Sequence, residues 1–260
     1  HDRTIADGYE YDISVPDKKI CIEYNGIYWH SDEFKPKNYH QDKFLAAKES
    51  GWRLIYVWED DWIRRQSIVK RMLERKFGVS HEVKYNARSL NVEEVSFSVA
   101  ATFLDTHHIQ GRAVGAVRLS LMDGDAPRAV AVFRHRKGSV YELTRYATDG
   151  IVRGGFSRLL KHFVKTYQPS EIVTFSDLSL SDGGLYEKTG FVQNGVLAPD
   201  YTYRVQDTRV HKFNYRLKRF RNDPELRFEE GKTERELAEL NGLHRVYDCG
   251  KVRWVWYNRS

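Results

Sequence analysis

Apolar and polar positions alternate along residues 10–15, break at Pro16-Asp17-Lys18-Lys19, and alternate again over 20–24 before Asn25-Gly26. This pattern predicts a β-hairpin whose two strands meet at a polar end. Over residues 39–50, Phe44, Leu45 and Ala47 share one helical face, and Gly51 stands where a helix C-cap is expected. An apolar run over 53–58 reads as a buried strand, and residues 63–76 return to the helical period with Ile68, Met72 and Leu73 before Gly78. Hairpin, helix, strand, helix is the order of a small α/β unit.

Residues 78–92 are polar and weakly patterned, and a second α/β region begins near Glu93. Its periodicities predict a helix over 99–105, strands over 115–121, 129–135 and 140–146, a helix over 157–167, a strand over 172–175 and a short helix near Leu185. The tail carries a helical run over 233–240 and an aromatic strand over 252–257. The expected division is a domain over 1–80, a linker over 81–92, a second domain over 93–220 and an extension over 221–260 packed on the second. The sequence contains no internal repeat and no low-complexity segment.

Composition narrows the function classes. Lys and Arg total 42 against 36 Asp and Glu, a net charge of +6, which favours polyanionic partners. The chain is 41% apolar and 13% aromatic, with no stretch near the ~20 uncharged apolar residues a membrane span needs, so a globular chain without a membrane is expected. Cys21 and Cys249 form no C-x-x-C pair and no disulfide framework, which points to a reducing compartment. The chain opens at His1-Asp2-Arg3 without an initiator Met, as a fragment or processed chain would.

Glu10 and Asp12 lie two apart on the first strand and share a face, and the turn brings Glu23 alongside. Three carboxylates at a hairpin end suit a hard divalent cation, Mg²⁺ with Mn²⁺ able to substitute, which polarises a phosphoryl oxygen and activates water. His30 follows as a general base or as the acid for the leaving oxygen, with His40 and Asp42 at the start of the next helix. Spacing alone leaves the alternative of solvated strand-edge charges with His30 packed on Trp29.

The strings Glu10-Tyr11-Asp12-Ile13, Ile22-Glu23-Tyr24-Asn25-Gly26-Ile27-Tyr28-Trp29-His30, Tyr39-His40-Gln41-Asp42-Lys43 and Gly51-Trp52-Arg53-Leu54-Ile55-Tyr56-Val57-Trp58-Glu59 resemble the Vsr-like branch of the PD-(D/E)XK nucleases. That branch includes phage homing endonucleases with an E, D, H, D catalytic set. The resemblance spans residues 8–62 and implies a restriction-endonuclease-like α/β domain. It implies Asp12 and Glu23 as metal ligands and Glu10, His30, His40 and Asp42 as the remaining catalytic groups. Asn25 takes the slot where the wider superfamily has a lysine and is assigned to DNA contact. Trp52, Trp58 and Trp62 flank the buried strand and are expected in a core.

In the second region, Val152-Arg153-Gly154-Gly155-Phe156-Ser157-Arg158-Leu159-Leu160 and Leu185-Tyr186-Glu187-Lys188-Thr189-Gly190-Phe191 resemble the acyl-CoA-binding motif and following helix of the GNAT acetyltransferases. Val152 stands at the motif's usual basic position and Ser157 at its last small one, so acetyl-CoA is not expected to bind. The strings Ala87-Arg88, 103–111, Glu142-Leu143-Thr144-Arg145, Ser176-Asp177 and 199–203 resemble the module that accompanies phage homing-type nucleases, implying DNA recognition on a GNAT-like scaffold. Arg153, Arg158, Arg209, Lys212, Arg216 and Lys218 are the expected DNA contacts. They belong in part to a basic tract over 204–221 interleaved with Tyr203, Phe213, Tyr215 and Phe220, for which a solvated basic face is the competing reading. The pair His107-His108 reads as a cap or a buried hydrogen-bonded group.

The expectation is therefore a metal-dependent endonuclease of the phage homing type, cutting double-stranded DNA in the cytoplasm of an infected bacterial host, its oligomeric state left open. The alternatives are a GNAT-type acyltransferase acting on nucleic acid and a catalytically inactive DNA-binding protein.

Overall fold

The turn forms as expected, but the first strand is shorter than the predicted 10–15: β1 (Ile13–Val15) pairs antiparallel with β2 (Ile20–Asn25), Glu10 and Asp12 lie outside it, and Lys19 reverses the chain at φ 52°. The computed structural model describes residues 1–181 and 183–258; positions 259 and 260 of the expected C-terminal extension lie outside the described residues. Helix α1 (Tyr39–Glu49) leads to β3 (Arg53–Trp58), which pairs parallel with β2 from Ile20↔Arg53 to Asn25↔Trp58. Two helices follow, α2 (Glu59–Arg64) and α3 (Gln66–Phe77).

The expected linker contains β4 (Lys84–Asn86) and the start of β5 (Asn91–Glu94). Both are too short to show an alternation, and each forms only because a distant strand accepts it. Helix α4 (Phe97–His107) begins where the Ser96 hydroxyl accepts the Val99 N–H. Then come β6 (Val117–Asp123), β7 (Ala126–His135), β8 (Val140–Thr148) and β9 (Ile151–Arg153), followed by α5 (Gly155–Tyr167), β10 (Glu171–Asp177), α6 (Gly184–Glu187) and β11 (Val192–Leu197). The remainder is β12 (Tyr201–Val205), β13 (Thr208–His211), α7 (Leu217–Asn222), α8 (Glu234–Leu240), β14 (Arg245–Tyr247) and β15 (Lys251–Tyr257). A capping box between Thr233 and Glu236 starts α8.

The chain is mixed α/β and folds as two compact units. The first comprises residues 1–65, 177–180 and 197–251; the second comprises 66–176, 181–196 and the chain from 252 onward. This differs from the linear division at 81–92 and 221. Residues 197–251 join the first unit because their polar links run to it: the Arg209 N–H and guanidinium bond Asp60, and the Arg245 N–H bonds Asp32. Their apolar residues, Tyr203, Tyr215, Phe220 and Leu237, bury one another.

In the second unit a seven-stranded sheet runs β11-β15-β10-β8-β7-β6-β5. Val130 and Val132 face Ala100, Phe103 and Leu104 of α4. On the alternate positions of the same strand, Phe133 stacks on Phe163 of α5 with ring centroids 3.7 Å apart. Residues Phe156, Leu159, Leu160 and Phe163 form the buried stripe of α5 at i, i+3, i+4 and i+7. The two helices therefore cover opposite faces of the sheet. Among the described residues no helix is long and apolar enough to cross a membrane.

Because Phe163 is fully buried against Phe133, Phe163→Ala should cost about 3–5 kcal/mol, read as a lowered urea midpoint. Phe97→Ala, at an exposed position of α4, should change stability by less than about 0.5 kcal/mol.

Candidate functional site

The polar end of the hairpin is crowded by α1. Of its expected buried face, Ala47 is buried and Phe44 packs against the same core, but Leu45 is 40% exposed, and His40 and Lys43 turn inward as well. Turned inward, Lys43 places its ammonium on the carboxylate of Glu23, both groups lying almost wholly out of solvent. The other Glu23 oxygen has no hydrogen-bond partner, nor has either amide atom of the fully buried Asn25. Asp12 accepts the Tyr24 N–H at 2.7 Å. Glu10 turns outward to Arg3 and to His1 Nδ1 at 2.8 Å, and Asp42 is exposed. The His30 and His40 rings meet Nδ1 to Nε2 at 2.8 Å, and the His40 carbonyl accepts the Tyr56 hydroxyl at 2.7 Å.

Burial dominates the electrostatics here. It pulls His30 down to about 4 and His40 to about 3, with the nearby Lys43 charge adding to both shifts, and pushes the Glu23 carboxyl up against the opposing pull of Lys43. One of the two imidazoles donates and the other accepts, so the pair is neutral at physiological pH. The cation paired with Glu23 comes from the helix, not from the strand slot held by Asn25. Sequence patterning concealed it, because a lysine on a mixed helix face normally points to solvent.

This arrangement does not make the expected metal centre. Of the two carboxylates expected as ligands, Glu23 is paired with Lys43 and Asp12 is bonded to a backbone amide. Among the described residues, no group of three or more His, Cys, Asp or Glu side chains could hold a metal ion.

In the second unit the strands of the central sheet come apart. Parallel pairing between β10 and β8 lasts for three residues only, Glu171↔Val140, Ile172↔Tyr141 and Val173↔Glu142, although β10 continues to Asp177 and β8 to Thr148. A bulge contributes: Val132 pairs with Arg145 and Phe133 with Leu143, leaving Thr144 as the extra residue. The Thr174 hydroxyl reaches the Leu143 carbonyl at 3.0 Å where the pairing ends. The N-terminus of α5 lies against β8 beyond this parting, since the Tyr146 hydroxyl accepts the Phe156 N–H. Gly154 is left-handed at φ 72° and caps α5 without any side-chain hydrogen bond, and no acidic residue follows in the first turn. A Cβ on Gly155 would sit 2.8 Å from the Tyr146 oxygen, so only glycine allows this approach. Val152 is buried, which explains its apolar character at that position, and exposed Arg153 follows it. Tyr186 of α6 bonds the Thr174 side chain, and burial raises the pKa of its hydroxyl.

The expected DNA contacts divide between the units, Arg153 and Arg158 in the second and Arg209, Lys212, Arg216 and Lys218 in the first. Arg158 donates to the Ala87 carbonyl. Arg209 is bound to Asp60 and Asp61 and lies 4.5 Å over the Trp58 ring. Lys212 pairs with Asp200. Arg216 reaches Glu234 at 3.0 Å, whereas Lys218 is exposed and has no ion-pair partner among the described residues. His107 Nδ1 meets the Arg71 guanidinium at 2.9 Å, the hydrogen-bonded role its sequence suggested.

No protein-family model matches the sequence, and no curated protein does. Three solved structures similar to the chain are acetyltransferases. The IAA acetyltransferase of Bacillus cereus is 16% identical, with a TM-score of 0.37, over 65% of this chain and 100% of that one. The ribosomal-protein-S18-alanine N-acetyltransferase of Escherichia coli is 12% identical, with a TM-score of 0.41, over 65% and 93%. A GNAT family acetyltransferase of Elizabethkingia anophelis with acetyl-CoA bound is 12% identical, with a TM-score of 0.37, over 65% and 98%. None of these is a nuclease and none brings a Vsr-like domain. The expected metal-dependent endonuclease, its Mg²⁺ or Mn²⁺ and the exclusion of acetyl-CoA are corrected accordingly: the likeness is to GNAT acetyltransferases, one with acetyl-CoA bound, and the hairpin end forms no metal cluster.

Two predictions follow from the buried polar cluster. Lys43→Met should destabilise the fold by about 3–5 kcal/mol by stranding the Glu23 charge, and adding Glu23→Gln should recover most of that loss in chemical denaturation. Histidine in an unfolded chain titrates near 6.5, while His30 is held to about 4. As pH falls through that window the unfolded chain binds the proton first, so stability is full above about pH 7 and declines from about 6.5 toward 4. Glu23, raised instead, opposes this decline. The melting temperature should fall between pH 7 and pH 5, and His30→Gln should shrink that fall; an unchanged fall in the variant would contradict the neutral-pair assignment.

Proposed function

We infer that the second unit binds an acyl-CoA and transfers its acyl group to a nucleophile. The observation that supports this reading is the parting of β8 from β10 beside a helix N-terminus whose cap, Gly154, brings no side chain. An extended chain can lie where two parallel strands leave their edge amides and carbonyls unpaired by one another. The first turn of α5, with its positive dipole end, containing no acidic residue and preceded by Arg153, suits a pyrophosphate.

A bound acyl-CoA would supply the activated thioester; the protein supplies placement and protons. Glycines at 154 and 155 keep Cβ atoms out of the turn. Tyr186 is joined to Thr174, the first β10 residue past the paired stretch, which puts its hydroxyl at the parting. Burial keeps that hydroxyl protonated at neutral pH, as a group must be if it is to return a proton to a departing thiolate. On transfer to the acceptor, Tyr186 would protonate the departing thiolate and regain a proton from solvent, to which the acceptor would release its own. The surplus of cations favours a polyanionic acceptor, and we assign it to nucleic acid.

Calorimetry with acetyl-CoA tests the reading. The wild-type chain should bind. Gly154→Asp, which keeps a residue tolerant of the left-handed conformation but adds a carboxylate at the helix start, should weaken binding by about tenfold, whereas Gly154→Asn should change it by less than about threefold. Absence of acetyl-CoA binding by the folded wild-type protein would reject the assignment.

A further inference from the structure

The first unit carries a cationic groove that the acyl-transfer reading does not use. It has a volume of about 600 Å³, and Phe213, Arg216, Lys218, Arg219, Asn222 and Asp223 are among the residues lining it. Helix α7 builds it: Phe220 is fully buried and anchors the helix in the aromatic core, while Lys218, Arg219 and Arg221 stay exposed. The Arg216 guanidinium lies 4.3 Å over the Phe213 ring, and that of Arg219 lies 4.6 Å over Tyr215, so two of the cations are held in place by aromatic faces. Phe213 itself is 59% exposed.

Acidic neighbours offset this charge only in part. Glu234 takes Arg216 at 3.0 Å and Asp223 takes Arg219 at 3.3 Å, in both cases between side chains at least a quarter exposed. Such ion pairs are weak and exchange readily for a phosphate. Lys218 has no such neighbour among the described residues, and Arg221 stacks on Phe228. Planar guanidinium groups suit phosphate oxygens. An exposed phenyl ring set among them suits a nucleobase, which a lipid headgroup or an acidic peptide would leave unused.

We propose that this groove binds a nucleic-acid strand, with Arg216, Lys218 and Arg219 on successive phosphates and Phe213 against a base. Binding needs no acyl donor and is assayed without one, so the failure of this proposal and the failure of the acyl-transfer reading are separable.

The experiment is fluorescence anisotropy of the full chain with a labelled single-stranded DNA of about 20 nucleotides, long enough to fill such a groove. Three phosphate contacts predict a slope of about −2 for log affinity against log salt. Lys218→Gln with Arg219→Gln should weaken binding by about tenfold or more and reduce the slope to about −0.7. Phe213→Ala should lower affinity by about fivefold or more while leaving the slope unchanged, as loss of one stacked base would. The charge-matched pair Lys18→Gln and Lys48→Gln, at exposed positions of the same unit, should leave binding within about twofold. Equal losses in the two charge-reduced proteins, a double variant that binds like wild type, or displacement of the DNA by poly-glutamate at equal charge concentration would each overturn the proposal.

Discussion

Parallel strands stay paired as long as both backbones keep the same twist, and in this protein β8 and β10 stop after Val173↔Glu142. Much of the second unit follows from that break. The bulge that leaves Thr144 unpaired turns β8 away, Thr174 bonds the last shared carbonyl with its side chain, and Tyr146 reaches α5 from the strand so released. The sheet tolerates the break because each face is closed elsewhere. The Phe133–Phe163 stack holds α5 on one side, and Phe103 and Leu104 hold α4 on the other. An opening in a sheet is stable only when the apolar burial around it is complete.

The first unit shows the opposite economy. Its hairpin end buries charge rather than opening to a ligand. Lys43 and Glu23 remove each other's need for water, and the two imidazoles share one proton position. Each group is costly alone and tolerable only in company. Glu23 and Asp12, the carboxylates expected as ligands, have partners within the protein, Lys43 and the Tyr24 N–H. Arg209 is held by Asp60 and Asp61 and Lys212 pairs with Asp200, while Arg216, Lys218 and Arg219 lie together at the start of α7.

Much of the fold was legible in residue order. The turn around Pro16–Lys18, the stripe of α5 and the helical run of α8 are local patterns set by periods of two and 3.6, and each formed where the pattern placed it. The Gly154-Gly155 turn was readable too, because glycine is favoured at the left-handed φ of 154 and in the close approach at 155. What residue order could not carry was partnership across long separations. The inward turn of Lys43, the pairing of β4 with β9 and the return of residues 197–251 to the first unit all depend on groups far away in the chain. By itself, the sequence determined the longer periodic helices and strands and which residues could carry charge. Only the tertiary structure decided which charges are consumed and which face a groove, because burial and proximity, not residue type, set whether a side chain is spent on the fold.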